Sequence, residues 1–299
     1  MKGSPTPVIL GTDFWWDCDD AVAIRLLSRM EGRGYVRLLG VAVNTRMEIT
    51  APAIDAFLQN EGYKDIPLGI TKMDMCLRSK PVIQYRLAAL PGSHRANGEC
   101  EDGVKLYRRL LSESAEKVDI IEIGFHPLLT GLLNSEADEF SPLSGEELIK
   151  KKVRKLWVMA GKWDDLVTGR ECNFAFSPYG IEASTVLCER WPTEITFLGW
   201  EVGNTVITGG TLQKDDLLHK VISDLGFPDG RASWDPLTVY LACIGNEETA
   251  GFDTVSGRAS VEPVTGYNHF EKYEGGPHKY VVKRFDDRYY EDQINKIIE

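Results

Sequence analysis

The apolar residues of the chain fall into short, nearly continuous runs at 8–10, 36–43, 66–70, 120–123, 156–160 and 195–198, each bounded by Gly, Asp or Pro. Runs that do not alternate predict strands covered on both faces. Between them the period changes to that of a helix. After Asp19 and Asp20, the residues Ala23, Leu26, Leu27 and Met30 stand at i, i+3, i+4 and i+7, and similar patterns occupy 51–61, 102–114, 181–189, 211–223 and 236–244. Alternating strands and helices predict an α/β fold, an open, mainly parallel twisted sheet flanked by helices. Such sheets bind ligands at the carboxyl ends of their strands. No repeat, low-complexity tract or linker interrupts the pattern, so 1–299 reads as a single domain. The last part, about 250–299, is rich in Gly, Tyr and charge and reads as a less regular appendage.

The segment after the first strand carries the chemistry. Gly11-Thr12-Asp13-Phe14-Trp15-Trp16-Asp17-Cys18-Asp19-Asp20-Ala21 places four carboxylates where a buried strand gives way to a helix. Capping explains one or two of them, Asp19 or Asp20, because a carboxylate at a helix start satisfies free N–H groups and complements the dipole. It does not explain Asp13 and Asp17 as well. Crowded like charges call for a hard cation, and oxygen-only ligands select Ca²⁺ or Mg²⁺ over zinc. The spacing is not that of an EF-hand. Two readings stand at this point: a divalent-metal site, or capping with solvated charge.

Composition narrows the class of ligand. The 299 residues hold 34 Lys and Arg against 45 Asp and Glu, a net charge of −11 with no basic stripe. This argues against nucleic acid and against an anionic membrane surface as partners. No apolar run reaches the length of a membrane span. The Met1-Lys2-Gly3 start leads into a strand-like run without the apolar core of a signal peptide. Six cysteines, Cys18, Cys76, Cys100, Cys172, Cys188 and Cys243, are scattered without a C-x-x-C pair. No N-x-[ST] site occurs. The expectation is a reduced, cytoplasmic protein without zinc or disulfides.

The order strand–Asp–x–x–x–Asp–x–Asp–Asp–Ala resembles the N-terminal signature of the inosine-uridine nucleoside hydrolases, in a variant with two extra residues before the Asp-Asp pair. The resemblance continues through Leu38-Leu39-Gly40-Val41-Ala42-Val43-Asn44, Ala51-Pro52-Ala53-Ile54-Asp55-Ala56, Ile123-Gly124-Phe125, and Trp157-Val158-Met159-Ala160-Gly161. It extends through Glu171-Cys172-Asn173-Phe174, the stretch from Trp191 to Gly203, Ser233-Trp234-Asp235-Pro236-Leu237 and His278-Lys279-Tyr280. It implies Ca²⁺-dependent hydrolysis of the N-glycosidic bond of ribonucleosides, in nucleoside salvage, by a homo-oligomer (dimer or tetramer) whose only other partner is its small nucleoside substrate. By position it implies Asp13, Asp20 and Asp235 as side-chain metal ligands, Ile123 as a ligand through its carbonyl, and Asp13 as general base. Asp19, Asn44, Glu171 and Asn173 are implied to hold the sugar.

The chain also departs from the family. Trp234 stands where the best-known branch has a His before the last Asp ligand, and an aromatic residue there implies stacking on the base and a purine preference. Gly11 replaces the acid that usually opens the first motif and supports the metal. His126 falls beside the implied metal site, as an acid or as a pocket-lining residue. Trp15 and Trp16 are pocket walls or surface aromatics. Tyr85 and His94 lie where the family carries a flap, in a site closure or a plain loop. Two other classes remain: a nucleoside- or ribose-binding protein of the same fold with little or no turnover, and a metal-dependent phosphohydrolase, the latter weakened by the absence of a glycine-rich phosphate loop.

Overall fold

The computed structural model describes residues 4–73, 80–164 and 170–299. In chain order the strands are β1 (Thr6–Thr12), β2 (Val36–Val43), β3 (Leu68–Ile70), β4 (Glu101–Asp102), β5 (Val118–Glu122), β6 (Val153–Met159), β7 (Glu194–Leu198), β8 (Ile207–Thr208), β9 (Arg231–Ala232), β10 (Phe252–Val261), β11 (Asn268–Lys272) and β12 (His278–Lys283). Ten of them form one sheet in the order β11-β10-β12-β7-β6-β5-β1-β2-β3-β4, while β8 and β9 make a separate antiparallel ribbon. From β12 through β4 every neighbouring pair is parallel, and β10 pairs antiparallel with both β11 and β12. The open, mainly parallel sheet expected from the apolar runs is what the chain forms.

The path through the sheet fixes where a ligand can bind. From β1 the chain moves outward through β2, β3 and β4, then returns to the other side of β1 with β5, β6 and β7. The connections therefore diverge between β1 and β5, which opens a crevice at their carboxyl ends.

Successive residues of each central strand point to opposite faces, and each face has its own core. Val8, Leu10, Val41, Val43 and Ile121 enter one, covered by helix α1 (Asp19–Gly32) and the helix Trp234–Ile244. Ile9, Ala42, Ile120, Leu156 and Val158 enter the other, under the helices Gly103–Glu113 and Pro127–Leu133. Each fully buried large aliphatic side chain contributes about 1.5–3 kcal/mol, so the doubly covered strands dominate the stability of the sheet.

Three features differ from the reading of the sequence. The third strand is only Leu68–Ile70, because Pro67 has no N–H to donate to a ladder. Short helices at Ile83–Ala88, Pro127–Leu133 and Gly145–Lys152 had no periodic signal of their own. The stretch after residue 250, expected to be irregular, forms β10, β11, β12 and the helix Asp287–Ile298. Its strands are half-exposed, with buried and exposed residues alternating from Gly257 to Val261, so polar outward positions concealed them.

Among the described residues no helix is long and apolar enough to cross a membrane. Cys18, Cys100, Cys172, Cys188 and Cys243 are free thiols, while Cys76 and the Met1-Lys2-Gly3 start lie outside the described residues.

Candidate functional site

The chain leaves β1 through a turn that the backbone must bend sharply to make. Phe14 adopts a left-handed conformation with φ of 40°, which costs a non-glycine residue on the order of 1 kcal/mol or more. The turn is fixed from several sides. Phe14 N–H donates to Thr12 Oγ1 at 3.1 Å and to Asp20 Oδ1 at 3.2 Å. Thr45 Oγ1 donates to the Asp13 carbonyl, and Gln84 Nε2 donates to the Phe14 and Trp15 carbonyls. The short helix Ile83–Ala88 thus braces the loop through Gln84, whereas Tyr85 is exposed, and Ser93 and His94 donate their N–H groups to Asp55.

That turn delivers the acidic residues into a cavity of about 200 Å³, lined by Asp13, Asp17, Asp19, Asp20, Ile123, Met159, Glu171, Cys172, Asn173, Arg231, Asp235 and three tryptophans, Trp16, Trp200 and Trp234. Asp19 and Asp20 occupy the first turn of α1, and Asp235 the first turn of the helix Trp234–Ile244. Neither helix has a side-chain cap: the N-cap residues are Cys18 and Ser233, and no capping bond is made. Neither Asp19 nor Asp20 caps its own helix, but Asp19 satisfies a first-turn N–H of the helix Trp234–Ile244. Asp20 accepts from Thr12 Oγ1 and Phe14 N, and Asp19 accepts from Asp235 N at 3.4 Å.

Carboxylate oxygens of Asp19, Asp20 and Asp235 all lie within 4.8 Å of one another, and all three residues are buried. Asp13 stands beside this trio, its charge bearing on Asp19, Asp20 and Asp235. Burial is the largest cause, and mutual repulsion adds to it, in holding the carboxyls of Asp13, Asp19 and Asp235 well above the usual range. Burial also lifts Asp20, to about 6, against the pull of its bonds from Thr12 and Phe14. Three buried acids with half-buried Asp13 beside them outnumber the one cation on this cavity among the described residues, Arg231, which is paired with Asp17, and a hard divalent ion bound by oxygen could fit there. Capping, the competing explanation, accounts for the Asp19 bond to the Asp235 N–H but not for Asp13, Asp20 and Asp235.

Gly11 and Glu122 face each other across the β1–β5 pair. A Cβ on Gly11 would overlap the Glu122 carboxylate, which fills the space that the glycine leaves. Glu122 Oε1 accepts from Asn44 Nδ2 at 2.7 Å and from Gly124 N at 3.1 Å, while Oε2 is buried without a hydrogen-bond partner. Burial pushes Glu122 up to about 8. An acid is thus present behind Asp13 and Asp20, reached from β5 instead of β1.

The opposite wall is built from the ends of β5 and β6. Asn173 Nδ2 donates to the Met159 carbonyl at 2.9 Å and to the Ile123 carbonyl at 3.4 Å, tying the two strand ends together. Glu171 caps the short helix Cys172–Ala175 and accepts from Gly161, Asn173 and Phe174 N–H groups at 3.1, 2.8 and 3.3 Å. Burial nevertheless raises it to about 7.

Of the residues singled out in the sequence, Asp13, Asp19, Asp20, Ile123, Glu171, Asn173, Trp234 and Asp235 come together around this cavity. Asn44 and His126 do not line it. Asn44 spends its amide on Glu122 and on Phe125 N, at 2.7 and 3.0 Å. His126 is fully buried with its ring on Phe174 and Nδ1 on Ser184 Oγ at 2.8 Å, and burial lowers its pKa to about 3. Trp16 is a half-exposed pocket wall, and Trp15 packs inward on Phe125 and Phe176. Sequence reasoning passed over Trp200, which stacks on Trp234 with ring centroids 6.5 Å apart and accepts its Nε1–H at 2.8 Å. It also passed over Arg231, whose partner Asp17 lies 214 residues away. Trp200 lies in the family-like stretch from Trp191 to Gly203 without being singled out as a site residue, and nothing local marks Arg231.

No protein-family model and no curated protein matches the chain by sequence. Solved structures do match it by fold. An inosine-uridine preferring nucleoside hydrolase from Bacillus anthracis superposes with a TM-score of 0.70 at 18% identity, over 98% of this chain and 99% of that one. A plant nucleoside hydrolase, PpNRh1, gives 0.73 at 15% identity over 98% and 99% of the two chains. An inosine-guanosine nucleoside hydrolase gives 0.72 at 15% identity over 98% of each. The resemblance carried by the sequence motifs is therefore a resemblance of the whole architecture: the chain has the nucleoside hydrolase fold.

Proposed function

We propose that the protein is a nucleoside N-ribohydrolase that takes Ca²⁺ as its cofactor and prefers purine nucleosides. The observation that carries this reading is the buried trio Asp19, Asp20 and Asp235, with Asp13 beside it, at the divergence of the connections around β1. Asp13, Asp20, Asp235 and the Ile123 carbonyl would hold the ion. A bound Ca²⁺ would offset the crowded negative charge and acidify a water at the sugar end of the cavity.

The chain's own residues supply the rest. Asp13, which lines the cavity, would accept a proton from the attacking water. Attack without a covalent intermediate inverts the anomeric carbon. Asp19, together with Glu171 and Asn173, faces the cavity where ribose hydroxyls would bind. Trp234, between Trp200 and the Arg231 guanidinium, would be the aromatic contact for the base.

A second reading, a nucleoside-binding protein with little turnover, has one observation in its favour: among the described residues no histidine lines the cavity to protonate a leaving base. One experiment separates the two. The protein is incubated with inosine, guanosine, adenosine and uridine, with Ca²⁺ or with chelator, and free base is quantified. The hydrolase reading expects base released from the purine nucleosides fastest, and only with Ca²⁺. Tight nucleoside binding with no base released would establish the binding protein, and phosphate released from nucleotides would point to the phosphohydrolase class.

A further inference from the structure

The reading above leaves the departing base without a partner, and it leaves two charged residues of the cavity, Asp17 and Arg231, without a task. We infer that these answer one another: Arg231 is the group that grips the leaving base, and Asp17 is the positioning residue that aims it. The inference rests on the proposed hydrolysis of nucleosides.

Arg231 uses one edge of its guanidinium within the protein. Nε donates to Asp17 Oδ1 at 3.0 Å and Nη2 to Asp17 Oδ2 at 2.6 Å. Asp17 is itself fixed, since its Oδ1 accepts the Cys18 N–H at 2.7 Å. A guanidinium carries five N–H groups in a rigid plane. Asp17 takes two, and the other three, including the parallel pair on the Nη1–Nη2 edge, have no protein partner among the described residues. Aromatic faces hold the plane, with the guanidinium carbon 4.4 Å from the Phe227 ring centroid and 5.0 Å from that of Trp234. The free edge is therefore offered beside the ring proposed to stack on the base.

Charge identifies what it grips. The cavity already holds four buried carboxylates, and Asp17 neutralises the guanidinium, so a phosphate group is disfavoured. A base is neutral when bound and gains negative charge as its bond breaks. A hydrogen bond that strengthens at that moment accelerates the reaction more than it tightens binding. In the step, the bond from C1′ to the base nitrogen breaks and its electron pair goes to the base. The water oxygen bonds to C1′ and its proton passes to Asp13. Arg231 keeps its own protons throughout, the base takes a proton from solvent, and Asp13 returns one to solvent. Two parallel N–H groups match two adjacent acceptors, which O6 and N7 of a 6-oxopurine present and adenine, with an amino group beside N7, does not. The substrate class is the hypoxanthine and guanine nucleosides.

The test uses the Ca²⁺-loaded protein, wild type and Arg231→Gln, with inosine, adenosine and p-nitrophenyl riboside, whose leaving group departs without help. Arg231→Gln is expected to lower kcat on inosine by about 10²–10³-fold, on adenosine by about tenfold, and on the nitrophenyl riboside by less than about threefold. An equal loss on all three, or no loss on inosine, overturns the inference, as does a wild type that prefers inosine 5′-monophosphate to inosine. Arg231→Lys keeps the charge and the stem but not the fork, and is expected to lose the preference for inosine even if the glutamine variant fails to fold. Calorimetric titration of hypoxanthine and adenine is run in parallel. If wild type hydrolyses nothing yet binds hypoxanthine tenfold more tightly than adenine in an Arg231-dependent way, the hydrolase reading fails and Arg231's grip on the base stands. Equal binding of both bases by wild type and variants overturns it.

Discussion

Two sets of carboxylates are buried in this protein, and they are treated in opposite ways. Away from the cavity, buried Glu61 and Asp119 are each met by a guanidinium, and so are half-buried Asp138 and Asp216. Arg25 is held bidentately by Glu61, at 2.7 and 2.8 Å, and also by Asp216 at 2.8 Å. Arg108 pairs with Asp138 at 2.7 and 3.0 Å, and Asp119 accepts from Arg154 Nε at 2.7 Å. Bonds from Arg108 hold the Asp138 carboxyl below the usual range, and Asp216 is held low by Arg25 against the upward push of burial. At the cavity, Asp19, Asp20 and Asp235 are buried beside one another with half-buried Asp13 next to them, and all four are raised. The fold can neutralise a buried acid and does so elsewhere. Where it does not, the raised carboxyls hold protons or can take a cation from outside the chain.

The comparison breaks most directly at Asp235. Asp235→Asn is expected to lower base release by about 10³-fold and to abolish the rise in Tm on adding Ca²⁺. In chelator, however, the same variant should be more stable than wild type by about 1–2 kcal/mol, because one repelling charge is gone. Arg25→Met reverses the sign: it strands Glu61 and should cost about 3–5 kcal/mol in denaturant unfolding. If Asp235→Asn destabilises the chelated protein as Arg25→Met does, the two sets are not different in kind and the cation site is lost with them.

What the sequence disclosed follows the same physical line. Strands β1, β2, β5, β6 and β7 were legible because burial on both faces makes them continuous apolar runs. The half-exposed β10 to β12 carry polar outward residues and were not. In the cavity, Asp13, Asp19 and Asp20 share one short segment, while Asp235, 215 residues beyond Asp20, was joined to them only by the resemblance of its motif to the family. Arg231 and Trp200 owe their place to packing of distant segments. The direction of a side chain was the least legible property of all. Pro127 starts a helix directly after His126, and that turn buries the ring against Phe174 instead of aiming it at the ligand.

The pH dependence sharpens the comparison at a smaller scale. A carboxyl raised in the folded state binds its proton more tightly there than in the unfolded chain. Its contribution to stability is then full below about pH 4 and is lost as the pH rises through its folded value. For Asp20 that value is about 6, for Glu171 about 7 and for Glu122 about 8. The chelated protein should therefore lose stability from about pH 4 to pH 8. Asp138 and Asp216 have the opposite sign, contributing above about pH 4 and losing that contribution on acidification. Because Ca²⁺ competes with protons for the same oxygens, its stabilising effect should grow across this window. Melting curves at stepped pH, with and without Ca²⁺, measure both slopes. A Ca²⁺ effect that is flat between pH 5 and 8 contradicts a site built mainly of these carboxylates.

The smallest effect concerns the acid that changed strands. Gly11 has no room for a Cβ because Glu122 occupies the space beside it, and Glu122 in turn holds Asn44, which holds the Phe125 N–H. Gly11→Ala should destabilise the protein by about 1–3 kcal/mol through overpacking. Glu122→Ala removes the collision but frees Asn44, so the double variant should be less affected by the added methyl than wild type, by a coupling of about 1 kcal/mol or more. Additive effects would mean that the glycine is there for the backbone and not for the carboxylate. Coupling would mean that β5 supplies an acid where β1 lacks one, which accounts for a site without an acid at Gly11 still presenting a carboxylate behind Asp13 and Asp20.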